Sequence, residues 1–201
     1  MAVTTANDIA NMALDHLGEL IVSDYTTGTD ATSQAINRSF DNVRDMVLRE
    51  HTWDFAVRIA ELSASADGAD DDWAYKYDLP TGSLRIIRLL NTTRTAVDYE
   101  YAKRHTTADD ETVIVTDQEA AYVEFIYQET DVSKMSASFI DALAYRLAAH
   151  LVGPIAASAS LRQEMMQYFQ FAMTQARQLD SSEQRVDVQD NARSNYVTSR
   201  S

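Results

Sequence analysis

The sequence predicts an α+β protein in which a helical bundle of about four helices carries a central antiparallel β-rich insertion and an extended C-terminal tail. In the first and last parts of the chain, apolar residues recur with helical spacing. In the middle, the spacing changes to the alternation of strands. We therefore assign residues 1–54 and 130–180 to the helical bundle, 55–129 to the β-rich domain, and 181–201 to a flexible or partner-ordered tail.

Local signals bound the first helix and start the second. Thr5 can cap the exposed amides, and Asp8 completes a capping box three residues later. Gly18 is a C-terminal stop, and a second cap is expected at Thr29 or Asp30. The residues expected to face the core are Ile9, Met12, Ala13 and Leu17 in the first helix and Ile36, Phe40, Val43 and Val47 in the second.

The main change of architecture follows the second helix, which is expected to end near Arg49. We interpret Trp53 as a core anchor, because a bulky ring at such a junction fills the wedge between helix and sheet. Phe55, Val57 and Ile59 are then expected on one face of an extended segment.

Short alternating runs, separated by polar turns such as Pro80-Thr81-Gly82, predict further strands. These runs are residues 73–79, 84–90, 97–101, 112–115 and 122–127. Antiparallel pairing is expected, because the connections are too short for crossover helices.

The chain then returns to helix. One helix is expected to begin at Ser136 or Ser138, and Gly153-Pro154 is expected to end it sharply. A last helix is expected to be capped near Ser158 or Ser160. The inward positions are Phe139, Leu143, Leu147 and Leu151, then Leu161, Met165, Phe169, Ala172 and Ala176.

Composition sets limits on function. The chain has 201 residues, 45% of them hydrophobic, and no cysteine, so disulfides, thiolate zinc sites and cysteine nucleophiles are excluded. The first residues lack the features of a secretory signal, and no window approaches a membrane span. We therefore expect a soluble protein, made in the cytoplasm, without a membrane anchor.

The charge argues against sequence-specific DNA binding. Thirty-one acidic residues against 17 basic ones give a formal net charge of −14 and a pI near 4.5. This sign opposes phosphate, and the lysines, Lys76, Lys103 and Lys134, are scattered.

No motif predicts a catalytic, cofactor or metal site. The histidines, at positions 16, 51, 105 and 150, show no metal-ligand spacing. The acidic run that includes Asp67 and Asp70 lacks the glycine and glutamate positions of an EF-hand loop. The sequence also lacks a phosphate loop, a nucleophile elbow and a dinucleotide fingerprint. We therefore predict a protein that is not an enzyme and needs no cofactor.

In its order of elements, the chain resembles the tail tubular protein A family, the head-to-tail adaptors of short-tailed phages. Four blocks between about residues 5 and 180 carry the resemblance. They are Asn7 to Glu19 with its Gly-Glu ending, Arg44 to Phe55 closing in Trp-Asp-Phe, Tyr75 to Pro80 followed by Leu84-Arg85, and the late pair Phe139–Ala149 and Leu161–Ala176 hinged at Gly153-Pro154.

The resemblance implies a structural role in the virion, in the neck or tail of a phage. Such proteins form a ring, here about a dozen copies, between the portal protein and the tail nozzle or tube, and they enclose the DNA channel. An acidic wall is suited to this role, because it repels phosphate and lets DNA pass without sequence recognition. A ring also requires each subunit to carry two different complementary surfaces.

Two regions are the candidate partner interfaces. The tail is expected to contact the portal through apolar anchors, namely Val186, Val188, Tyr196 and Val197. By resemblance, loops of the β-rich domain are expected to face the nozzle, with Asn91, Arg94, Asp70, Asp71 and Asp72 as candidate contacts.

Two other functions stay open at this point. A helical groove could hold a peptide in a chaperone-like or regulatory module, and the methionines Met165, Met166 and Met173 could line an adaptable interface as well as fill a core. An enzyme is the third and weakest alternative.

Overall fold

A computed structural model of the chain describes residues 3–65, 72–94, 100–105, 112–117, 119 and 122–198, and from residue 183 onward only the backbone. These residues form four α-helices and six β-strands, which confirms the predicted α+β class. The chain divides into two compact units. The helical unit contains Met1–Phe55 and Glu129–Ser201, and the β unit contains Ala56–Gln128.

The helical unit is built around one central helix. Its helices are α1 (Ala6–Leu17), α2 (Ala31–Arg49), α3 (Ala137–Ile155) and α4 (Ala159–Thr198). Helix α3 contacts each of the other three. Its buried residues lie on several sides, as expected for a helix surrounded by neighbours.

The structure confirms the predicted caps and shows which of the alternative residues caps each helix. Thr5 and Asp8 form a complete capping box, and Gly18 ends α1 in the left-handed conformation at φ 71°. Asp30 caps α2. Ser136 caps α3, and Ser158 Oγ accepts a hydrogen bond from the Leu161 amide at the start of α4.

Trp53 is the predicted core anchor. Its side chain is fully buried, and the indole N–H donates to the Val47 carbonyl at 3.2 Å. Its ring meets that of Phe139 edge to face, with 5.0 Å between centroids. Phe55, in contrast, was predicted in a strand and lies in a short 3-10 turn, Asp54–Ala56. Its ring packs against Phe139 instead of joining a sheet face.

One predicted helix end is confirmed to within a residue, and another is wrong. Helix α3 ends at Ile155, one residue beyond the predicted stop at Gly153-Pro154. Pro154 has no amide to donate to the carbonyl four residues earlier, so the helix does not extend far past it. Helix α4 does not end near Asp180, because its backbone is helical to Thr198. The predicted extended tail is therefore mostly helix, since residues 181–198 contain neither glycine nor proline to stop it.

The described residues of the β unit form two three-stranded antiparallel sheets, ordered β1-β6-β3 and β2-β5-β4, which confirms the predicted pairing mode. The strands are β1 (Val57–Glu61), β2 (Tyr75–Asp78), β3 (Ser83–Leu90), β4 (Tyr101–His105), β5 (Thr112–Thr116) and β6 (Tyr122–Tyr127). Strand β4 begins where the predicted strand 97–101 ends, and residues 97–99 lie outside the described residues.

The core of the β unit is a cluster of side chains from both sheets: Tyr77, Ile86, Leu89, Ile114, Val123 and Phe125. The turn before β3 contains Gly82 at φ 74°, and the Gly82 carbonyl accepts a hydrogen bond from the Gln128 amide at 2.8 Å. This turn therefore fixes the start of β3 beside the end of β6.

Candidate interaction surfaces

Asn91 and Arg94, two predicted nozzle contacts, lie together in one turn after β3. The Arg94 amide donates to the Asn91 carbonyl at 2.9 Å, and the Asn91 side chain accepts from the Thr93 amide at 3.0 Å. Arg94 adopts a positive φ of 57°. Its guanidinium carbon lies 5.0 Å from the centroid of the Tyr122 ring on β6. The turn is thus held by its own hydrogen bonds and presents an exposed cation.

Asp72 lies at a different place in the same unit. Its carboxylate is paired with Arg104 Nη2 on β4 at 3.0 Å. Arg94 packs on β6 of the other sheet, so the predicted contacts are divided between the two sheets. Both side chains of the Asp72 pair are largely exposed, and such pairs stabilise a fold by only about 0–1 kcal/mol. Asp70 and Asp71 lie outside the described residues.

The predicted portal anchors, at positions 186, 188, 196 and 197, all lie within helix α4. Positions 186 and 197 are eleven residues apart, which places them on one side of a helix with 3.6 residues per turn. Position 188 falls on a different side. A helix therefore does not bring Val186, Val188, Tyr196 and Val197 onto a single face.

The most exposed apolar side chains were missed by sequence reasoning. Leu20 is 89% exposed and Ile21 is 66% exposed, and they directly follow the end of α1. The preceding Glu19 is also exposed, and its amide donates to the Leu14 carbonyl at 3.0 Å. We call Glu19, Leu20 and Ile21 the α1–α2 tip. The sequence shows an apolar pair in the loop after a helix-stopping glycine, but whether a loop residue is buried depends on tertiary packing.

Hydrogen bonds from α1 hold the tip in place. The Asn11 side chain accepts from the Val22 amide at 2.9 Å and donates to the Val22 carbonyl at 3.0 Å. The Asn7 side chain accepts from the Tyr25 amide at 3.1 Å. Because both amide side chains bond the backbone of the loop, Leu20 and Ile21 are presented on a fixed segment rather than on a loose one.

A second exposed apolar set lies on α4. Tyr168 is 45% exposed, Phe171 is 64% exposed and Leu179 is 54% exposed. They are spaced i, i+3 and i+11, so they form a stripe on one side of the helix. The buried residues of α4, such as Phe169 and Ala176, lie on the adjoining side. We call these three residues the α4 stripe.

An aromatic stack connects α1, α3 and the α4 stripe. The rings of His16 and Tyr145 are nearly parallel, at 10° with 4.0 Å between centroids, and Tyr145 also stacks on Tyr168 at 5.6 Å. Burial lowers the pKa of His16, against the opposing effect of Asp141. Burial also raises the pKa of Tyr145. Both pKa shifts favour the neutral forms of His16 and Tyr145.

A basic cleft lies between α3 and α4. It has a volume of about 260 Å³ and is lined by Arg146, Ala149, His150, Arg162 and Met166. Arg146 Nη1 lies 2.9 Å from the Met166 sulfur, and its guanidinium carbon lies 5.2 Å from the centroid of the Phe169 ring. Among the residues that the structure describes, no carboxylate lies within salt-bridge distance of Arg146, His150 or Arg162. We call this site the α3–α4 cleft.

A metal site needs three or more His, Asp or Glu side chains close together. The described part of the chain contains no such cluster. Likewise, none of the helices within the described ranges has both the length and the hydropathy that crossing a bilayer requires.

Protein-family models give no match to this chain, and the curated proteins give none either.

Proposed function

We propose that this chain is a structural virion protein, a head-to-tail adaptor that forms a ring between the portal and the tail nozzle or tube. The observation that carries this proposal is the presence of separate exposed apolar surfaces on one helical unit, the α1–α2 tip and the α4 stripe. A ring is built from heterologous contacts, in which one surface of each subunit meets a different surface of the next. Exposed large apolar side chains at distinct sites are what such contacts need.

The arrangement of the chain adds support. The β unit is inserted between α2 and α3, as in the family that the sequence resembles. The net charge of −14 suits the wall of a channel through which DNA slides, because carboxylates repel the phosphate backbone. The same charge keeps free subunits apart in solution until a portal ring collects them. In this proposal the protein acts in the phage neck after synthesis in the host cytoplasm.

The partner surfaces are assigned by the same proposal. The C-terminal part of α4 docks on the portal, and the turn that contains Asn91 and Arg94 faces the nozzle. The chain acts without a cofactor and reads no DNA sequence. A peptide-binding module remains the alternative, and it predicts a groove that one extended peptide fills without any change in assembly.

Reconstitution with the portal protein of the same virus tests the proposal. The purified chain and the portal ring are mixed, and the mass of the product is measured by size-exclusion chromatography with light scattering. We expect a complex in which about a dozen chains cap one portal ring, visible as an added layer in electron micrographs. A chain that stays separate from the portal at micromolar concentration would overturn the proposal.

A further inference from the structure

The α1–α2 tip and the α3–α4 cleft are complementary surfaces on the same chain. The tip presents the Glu19 carboxylate beside two exposed apolar side chains. The cleft presents two guanidinium groups and an imidazole beside the apolar atoms of Ala149 and Met166. Each feature of the tip therefore has a counterpart of opposite charge or similar polarity in the cleft.

The arginine side chains of the α3–α4 cleft are suited to an anionic partner. The Arg146 guanidinium is held over the Phe169 ring and beside the Met166 sulfur, so little side-chain entropy remains to be lost on binding. Within the described residues, both arginines of the cleft have no carboxylate partner of their own. A guanidinium pair of this kind suits a carboxylate, which it can meet through several N–H donors.

The overall charge favours a second copy as the partner. With 31 acidic and 17 basic residues, two copies of this chain repel each other through their net charge. Close approach requires a place where a cationic surface of one copy meets an acidic surface of the next. The α3–α4 cleft supplies such a cationic surface, and the tip supplies acid on a fixed loop.

We propose that the α1–α2 tip of one copy docks in the α3–α4 cleft of the next copy. The Glu19 carboxylate pairs with Arg146 and Arg162, while Leu20 and Ile21 cover Met166 and Ala149. The contact joins two different surfaces, so repetition generates a ring or a helical array rather than a closed pair. This proposal rests on the proposed ring function, for which it identifies the subunit contact.

Cysteine cross-linking tests the contact directly, because the natural chain contains no cysteine. The double variant Leu20→Cys with His150→Cys is assembled on the portal and oxidised. We expect a ladder of covalent multimers beyond the dimer on a non-reducing gel. Each single variant, and the matched pair Leu20→Cys with Ser182→Cys, should give no such ladder. Only monomers, or only dimers, from Leu20→Cys with His150→Cys would overturn the proposal.

A charge exchange provides the second test. Glu19→Arg and Arg162→Glu are each expected to weaken association between copies at least tenfold, and the double variant is expected to recover most of the loss. Glu164→Arg, an exposed acid on α4, serves as the control and should change little. A contrary outcome is that the double variant fails to restore association between copies while Arg162→Glu alone abolishes binding of duplex DNA. In that case the cleft is a phosphate site and the docking proposal is wrong.

Failure of the ring function and failure of the contact are distinguishable. If the natural chain does not bind the portal, the proposed function is wrong. The contact between tip and cleft is then tested on the free chain at high concentration. There, Leu20→Cys with His150→Cys still forms multimers if tip and cleft bind each other. It stays monomeric if they do not. If rings form but the variants of Glu19 and Arg162 assemble like the natural chain, the contact alone is refuted.

Discussion

His51 and Asp180 form a hydrogen-bonded pair that joins the end of α2 to α4, with Nε2 2.9 Å from Oδ2. The Asp180 side chain is only 6% exposed, and its other oxygen accepts the Asp54 amide at 3.4 Å. One turn earlier, Arg177 donates to the Glu50 carbonyl at 3.1 Å. These contacts fasten α4 to residues 50–54, beside the buried ring of Trp53.

Replacing Asp180 by alanine should lower the free energy of unfolding by about 1–3 kcal/mol, because it leaves the Asp54 amide and His51 without their buried acceptor. Chemical denaturation followed by helical circular dichroism measures the loss. Ser181→Ala, at the exposed neighbouring position, is the matched control and should cost less than about 0.5 kcal/mol. Equal stability of the two variants would contradict a structural role for the His51–Asp180 pair.

The His16–Tyr145 stack predicts a pH dependence of stability. Burial lowers the pKa of His16 from its usual 6.5, and in the described residues its buried Nε2 has no hydrogen-bond partner. Below pH 6.5 the unfolded chain therefore binds more protons at this residue than the folded chain. The contribution of His16 to stability is complete above that pH, and it declines as the pH falls towards the folded pKa.

His16→Phe should remove this dependence, because phenylalanine keeps a ring against Tyr145 and does not titrate. The slope of unfolding free energy between about pH 5 and pH 7 should become flatter in His16→Phe than in the natural chain. His105→Gln, at an exposed histidine of the β unit, is the control and should leave the slope of the helical unit unchanged. A slope that persists in His16→Phe would assign the pH dependence to another group.

The sequence allowed the helix starts to be predicted because their causes are local. Thr5 and Asp30 each bond an amide three residues ahead, so the interaction depends on nothing distant. Trp53 could also be placed, because a large ring between a helix and a β-rich run has few alternatives to burial. The antiparallel pairing followed from short connections between the strands.

Other features depend on tertiary structure and could not be predicted. The exposure of Leu20 and Ile21 depends on how Asn7 and Asn11 hold the loop, and the sequence does not show which backbone groups those amides bond. The basic cleft brings together α3 and α4, so neither helix predicts it alone.

Two glycines with similar backbones should differ in their tolerance of alanine. Gly82 has φ +74° and Gly18 has φ +71°, so both substitutions strain the backbone. At Gly82 the new Cβ atom would lie 2.6 Å from Cε2 of Tyr127, whereas at Gly18 nothing lies within 4 Å. Gly18→Ala should therefore cost about 1 kcal/mol, and Gly82→Ala distinctly more, because the Tyr127 ring must also shift.

Hydrogen exchange of amides in α1 and in β6 measures each cost within its own unit. The expected result is a larger loss of protection in β6 for Gly82→Ala than in α1 for Gly18→Ala. Equal losses would show that the Tyr127 ring moves aside freely and that backbone strain alone determines both costs.

Removing residues 183–201 should leave the helical unit folded and prevent docking on the portal. Among the side chains that the structure describes, Asp180 is the last buried one on α4. Truncation after Ser182 keeps Asp180 and its contacts with His51 and Asp54, so we expect the free energy of unfolding to change by less than about 0.5 kcal/mol. The proposed portal contact, in contrast, lies entirely within the deleted segment. Denaturation and portal co-sedimentation measure the two effects separately.

A full-length variant distinguishes the contribution of the helix length to portal binding from that of the apolar side chains. Alanine at positions 186, 188, 196 and 197 removes the apolar anchors, while alanine has the highest helix propensity and keeps the backbone helical. If the anchors make the contact, this variant loses the portal as completely as the truncated chain does. If it binds like the natural chain, the proposed role of Val186, Val188, Tyr196 and Val197 is wrong, and other groups in the deleted segment hold the portal.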